Sequence, residues 1–284
     1  MDGIEFQNLV KTFQTIEALP QLPESSIRLV QTCESDGATL LDAEKIVASD
    51  PGLATTVIRA ASTARFFGMG GPTTSVSSAV MRLGLRALKA LAMTYTFRAL
   101  LDRRNGSEHY DPHPFSRHSV FVGIATQYVY DQECGHLGHD LEEVFAFGLL
   151  HDLGACLLAN VAPEIFDELW VQAKNAKIPF AQRFQTKFKE PLVTVAWAAS
   201  TAWDLPELFT EFLHSLTGRA EASDLDQVCD IVTNVSLLSE TLGYGFEPWM
   251  ESKNTLSLEE SEIAAIKKAV DDYCAQVFDI PLAA

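Results

Sequence analysis

Phe147-Gly148-Leu149-Leu150-His151-Asp152-Leu153-Gly154-Ala155-Cys156-Leu157-Leu158 is an apolar run interrupted once, by an imidazole beside a carboxylate. Burying either group without a partner costs about 1–3 kcal/mol, so the fold must answer both. Two answers are open at this stage. The pair can satisfy itself and nearby backbone, or both groups can turn toward a shared bound cation. The apolar residues around the pair fall at helical spacing. The same period runs along most of the chain and alternating strand patterns are nearly absent, which predicts an all-α protein.

Punctuation along the chain divides it into about a dozen helices. A first helix is expected over Glu5–Ile16, with Phe6, Leu9, Val10 and Phe13 on one face, and Leu19-Pro20-Gln21-Leu22-Pro23 must end it because each proline pushes its predecessor out of the α region. A second helix starts near Glu24, and a short one covers Asp42–Ser49. Asp50 then caps the next helix with Pro51 at its first position. Gly68, Gly70, Gly71 and Pro72 read as a loop, followed by one long helix capped from Ser75, Ser77 or Ser78, with Val80, Leu83, Ala87, Leu91 and Thr94 facing inward. Asp102 to Pro114 forms the internal boundary. Later helices are expected at Ser116–Asp131, Leu141–Asn160, Pro163–Ala176, Pro191–Ala202, Pro206–Leu216 and Leu225–Leu242. A last helix has a capping box from Ser257 to Glu260 and a narrow stripe of Ile263, Ile266, Val270, Tyr273 and Val277. That stripe suits a groove of the same chain or of a second copy.

With 284 residues and 47% hydrophobic content the chain can bury a large core. Its apolar runs fall short of the roughly 20 residues that cross a bilayer, and its start lacks a signal peptide, so it reads as soluble and cytoplasmic. Five scattered cysteines suggest no disulfide framework and no thiolate metal site. A net charge of −17 argues against nucleic acid and anionic membrane as partners. One segment runs the other way: Arg82, Arg86, Lys89, Arg98, Arg103 and Arg104 stand against Asp102 alone, with Arg82, Arg86 and Lys89 at the spacing of one helix face. This is either a solvated face or a docking patch for an acidic or phosphate-bearing ligand.

Leu19-Pro20-x-Leu22-Pro23, Ser49-Asp50-Pro51-Gly52-Leu53-Ala54 and Ser78-Ala79-Val80-Met81-Arg82-Leu83-Gly84-Leu85 occur in that order. His118-Ser119, the His151-Asp152 run and Trp203-x-Leu205-Pro206 ahead of His214 continue it. This succession resembles the HDOD domain, a bacterial output module related to the HD metal-dependent phosphohydrolases. The likeness covers residues 13–240, with an N-terminal helical part at about 1–104, an HD-like part at about 115–240 and a C-terminal helical extension at 241–284. It implies N-terminal helices packed on an HD-like bundle. It also implies a site for one divalent metal, for which imidazole and carboxylate ligands suit manganese, iron, nickel or zinc.

Carried onto this chain, the implied ligands are His118, His151 and Asp152. Asn234 stands about where a late acidic ligand is expected, with Asp230 one turn before it as a substitute and Asp226 a turn earlier. Ala155 replaces the lysine that many HD hydrolases use to hold substrate phosphate, a loss that weakens charge stabilisation. A histidine often found upstream of Trp203 is also missing. His109, His113, His136 and His139 lie in loop-like sequence. The departures favour a signalling module that acts through protein contacts, with signalling proteins as partners and little or no catalysis. The alternative is a metal-dependent phosphohydrolase acting on a nucleotide or phosphomonoester. A weaker third reading is a small-anion binder using the basic 82–104 segment.

Overall fold

The computed structural model describes residues 2–62, 72–101, 107–247, 249–250, 256 and 258–278, and among them every regular element is helical. The first five helices are α1 (Asp2–Gln14), α2 (Glu24–Glu34), α3 (Leu40–Ser49), α4 (Pro51–Ala61) and α5 (Val76–Leu101). Then come α6 (Pro112–Glu133), α7 (Leu141–Leu150), α8 (Leu153–Val161), α9 (Pro163–Ala176) and α10 (Phe180–Phe188). Last are α11 (Val193–Ala202), α12 (Glu207–Leu216), α13 (Leu225–Thr241) and α14 (Glu260–Tyr273), with a π turn at Cys274–Phe278. The Gly68–Gly71 loop, Asp102 to Gly106 and Ser257 lie outside the described residues.

Local chemistry sets most helix starts. Asp50 accepts from the backbone N–H groups of Gly52 at 2.9 Å and Leu53 at 3.1 Å, with Pro51 in the first turn of α4. Asp111 caps α6 ahead of Pro112, and Asp140 caps α7. At α14 the capping box is built by Glu259 and Glu262.

Helices α2, α3 and α4 pack around α5, and α6, α7, α13 and α14 form a second bundle joined to α5 through α7 and α8. Helix α1 does not stay with the N-terminal group. It packs on α10 and α11, with Phe6 against Phe184 and Phe188. The inward stripe of α14 lies against α6 of its own chain, with Ile266, Val270 and Tyr273 buried. Among the described residues no single helix is long and apolar enough to cross a membrane, and the one bent pair that passes by composition, α7 with α8, is almost wholly buried.

Two expected helices are broken. The helix expected to run unbroken from Ser75 kinks at Gly84, whose φ of 71° is a left-handed conformation that glycine adopts without penalty. Arg82 therefore does not share a helix face with Arg86 and Lys89. Each has a partner within the chain: Arg82 donates to the Ala61 carbonyl, the exposed Arg86 pairs with Asp140, and Lys89 bridges Glu34 and Glu143. The three cations thus form no single face, and Arg103 and Arg104 of the same basic segment lie outside the described residues.

The helix expected over Leu141–Asn160 is also divided, into α7 and α8, bent by 42° at His151-Asp152. Conversely, α10 has no counterpart in the sequence reading, although Phe180, Phe184 and Phe188, all buried, mark its inner face.

Gly148 and Gly123 bring α7 against α6. A Cβ on Gly148 would meet the Val122 carbonyl oxygen at 2.7 Å and the Gly123 Cα at 2.8 Å, both backbone atoms that cannot step aside. Gly148→Ala should therefore destabilise the fold by about 1–3 kcal/mol, read as a lower denaturant midpoint. A midpoint equal to wild type would show that the two backbones have room to part.

Candidate metal centre

The break between α7 and α8 builds the site. His151 closes α7, and its Nδ1–H donates to the Gly148 carbonyl at 2.8 Å, so the imidazole occupies an acceptor that helix backbone would otherwise use. Asp152 follows with φ −98° and ψ 17°, outside regular helical geometry, and α8 starts at Leu153. Gly154 lets α8 approach the Leu192 carbonyl, so the turn is held on both sides by glycines at close backbone contacts.

From α6, His118 reaches the same point. Its Nε2 lies 3.4 Å from His151 Nε2 and 3.3 Å from Asp152 Oδ2, and His151 Nε2 lies 3.2 Å from that same oxygen. The tautomers follow from the outer bonds. Ser239 on α13 donates its hydroxyl to the Ser236 carbonyl, so it accepts from His118 Nδ1 at 2.9 Å, and His151 Nδ1 is committed to Gly148. Both Nε2 atoms thus turn lone pairs toward one carboxylate oxygen. Three acceptors facing one another need a shared cation or proton.

Burial holds His118 below the ordinary imidazole value. It also opposes charge on His151, but the Asp152 carboxylate outweighs it and raises that group. Burial pushes Asp152 upward, whereas the two imidazoles dominate and hold it well below the usual carboxylate range. Of the two imidazoles, His151 is the one whose charged form the Asp152 carboxylate favours. These three residues are the one His/Cys/Asp/Glu group among the described residues whose ligand atoms lie within 4.8 Å of each other. The donor set fits a divalent transition metal, held by the two Nε2 atoms and an Asp152 oxygen.

Asp230 and Asn234 do not join them. Asp230 is exposed, and the Asn234 amide donates to the Asp230 carbonyl along the outer side of α13. The face of α13 turned to the site carries Ser236, with its Oγ 3.3 Å from His151 Nε2, and Ser239. Two residues on from Asn234 is more than half a helical turn, which puts Ser236 on the opposite side. The expected fourth ligand misses the site for that reason.

The sequence reading also missed the segment after α13. Phe246 packs its ring edge-on to His118, with centroids 5.1 Å apart, and stacks with Trp170. Glu247 is buried, with both oxygens accepting from the Phe180 N–H at the start of α10. Glu240 lies against Gly245, whose missing Cβ leaves room for the carboxyl group. Burial and the charge of Asp152 push Glu240 up to about 7. Burial, then Asp152 and Glu240, push Glu247 up to about 8 against the single Phe180 bond. Ser236 and Ser239 interrupt the apolar stripe of α13, a signal available in sequence; Glu240, Phe246 and Glu247 carry none.

The chain matches the HDOD domain family over residues 19–216, more than half of its length. It belongs to that family. Its fold is shared by an HDOD domain protein from Geobacter sulfurreducens, at 17% identity and a TM-score of 0.73, covering 89% of this chain and 92% of that one. A protein from Marinobacter aquaeolei VT8, provisionally named for signal transduction, is similar at 19% identity and a TM-score of 0.73, over 98% of this chain and 65% of its own. One from Shewanella amazonensis SB2B, provisionally named a phosphohydrolase, is similar at 16% identity and a TM-score of 0.65, over 95% and 96%. At these identities the likeness is one of fold. An uncharacterized protein of Treponema pallidum (strain Nichols) is 24% identical over 192 residues, 68% of this chain but 36% of that protein, so the match spans about a third of the relative's length.

In chelator-treated protein, removing the Asp152 carboxylate takes away the partner that the buried Nε2 atoms of His118 and His151 share, so Asp152→Ala should cost about 1–3 kcal/mol of stability. An unchanged or higher melting temperature would mean the carboxylate has no structural part.

Glu247 supplies a pH dependence. Unfolded, its carboxyl ionises near 4.5; folded, it holds its proton to about 8. Between those values the folded state binds more protons, so this group's contribution to stability is full below pH 4.5 and is lost as pH rises toward 8. Glu247→Gln should remove that slope, making the mutant-minus-wild-type melting temperature more positive at pH 8 than at pH 5. Equal differences at both would exclude a raised Glu247.

Proposed function

We propose that this chain is a regulatory signalling module that acts through contacts with other proteins, and that His118, His151 and Asp152 hold a divalent transition metal with a mainly structural role. The observation that carries this reading is that no lysine or arginine stands beside the cluster among the described residues. Two further groups that sense the Asp152 charge, Glu240 and Glu247, are themselves carboxyls. Arg117, next to His118 in sequence, is turned toward Asp271 on α14 at 2.9 Å. Ala155 is buried in the core where a phosphate-holding lysine would stand. A phosphate ester entering here meets carboxyl groups and no compensating cation of the protein.

A rival reading as a metal-dependent phosphohydrolase has one observation in its favour. Two imidazoles and one carboxylate leave coordination positions free, and the Asp152 side chain is 27% exposed, which gives the cluster an opening to solvent. A metal bound there would supply Lewis acidity and an activated water. The chain's own residues would still lack the group that holds the ester.

The purified protein should take up about one equivalent of manganese, iron, nickel or zinc, and His118→Ala or His151→Ala should abolish this, as measured by elemental analysis. The loaded protein should not turn over phosphomonoesters or cyclic nucleotides at a detectable rate. Metal-dependent turnover above about 1 per second, a rate at the low end of ordinary enzymes, that disappeared in His151→Ala would overturn the non-catalytic reading.

A further inference from the structure

We propose that the groove between α6 and α14 receives a basic amphipathic helix of a partner protein, an inference that rests on the reading of the chain as a protein-contact module and says where that contact falls. The groove measures about 520 Å³ and is floored by Ile124 and Tyr128 of α6 with Ile266 and Tyr273 of α14. Its floor is fixed. The Tyr273 hydroxyl is bonded to Thr94 at 3.2 Å and the Tyr128 hydroxyl donates to Glu262 at 2.7 Å.

On the α14 side the wall is low, because Ala265 and Ala269, one turn apart, are both exposed. With nothing beyond Cβ at those positions, the ridge of a third helix can approach the backbone and lie in the groove. The rim decides which helix. Asp131 and Asp272 line it without an ion-pair or hydrogen-bond partner among the described residues, against the single ammonium of Lys268. A partner with lysine or arginine beside its apolar stripe is attracted to this rim. A second copy of this chain, itself at −17, is repelled.

The test is a library of helical peptides with randomised faces, selected on the full chain. The expected winners carry an i, i+3, i+4, i+7 apolar stripe flanked by lysine and arginine, bind more weakly as salt rises, and protect amides of α6 and α14 from exchange. Ala269→Arg, which fills the groove from an exposed position, should weaken their binding by about tenfold or more, comparable to the loss of a central contact. As a second variant, Asp131→Lys with Asp272→Lys leaves the floor intact and should remove the preference for basic flanks. Acidic winners, protection on another face, no peptide above background, or a dimer that Ala269→Arg dissociates would each overturn the proposal. Basic peptides bound on another face would sink the groove alone, whereas failure of the module reading would show as metal-dependent turnover.

Discussion

One hydrogen bond organises this protein: the His151 imidazole on the Gly148 carbonyl. By taking a backbone acceptor, the side chain ends α7, and the chain leaves helical geometry at Asp152 before restarting as α8. The same bond fixes the His151 tautomer, which turns Nε2 inward. The bend and the ligand therefore have one cause. Gly148 brings the end of α7 against the α6 backbone at Val122 and Gly123, and Gly154 brings the start of α8 against the Leu192 carbonyl.

The cluster so formed is a concentration of acceptors in a buried place. Two lone pairs and a carboxylate oxygen meet within 3.2–3.4 Å, and two further carboxyls stand near Asp152, Glu240 at the end of α13 and Glu247 on the segment that follows. Such an arrangement attracts a cation and repels an anion. The same groups also hold structure together, since Glu247 secures α10 through Phe180 and Phe246 covers His118. A site whose neighbours serve as struts retains its residues whether or not chemistry takes place there.

Much of this could be read from the residues. The all-α class, the caps at Asp50 and Pro51, the bounds of α9 and the meeting of His118 with His151 and Asp152 follow from period, from turn chemistry and from family order. The breaks at Gly84 and at His151-Asp152 did not, because the apolar period continues through both, while a backbone angle at one and a side-chain bond to backbone at the other end the helices. Asp230 and Asn234 were misplaced because a ligand expected at one position on a helix moves to the far side with a shift of two. Glu240 and Glu247 were silent because their role comes from where the segment after α13 lies, and no local pattern records that. Helix α10 is the exception: its Phe180, Phe184 and Phe188 spacing was legible but overshadowed by the prolines on either side.

The bonds from Tyr273 to Thr94 and from Arg98 to the Val277 carbonyl each span 179 residues of sequence. During synthesis, at about 5–20 residues per second, α5 waits on the order of 10–40 seconds for the segment that covers it. Throughout that interval its flank near Thr94 and Arg98 is open to chaperones and proteases. A chain cut before Tyr273 lacks both bonds and leaves this flank of α5 without them.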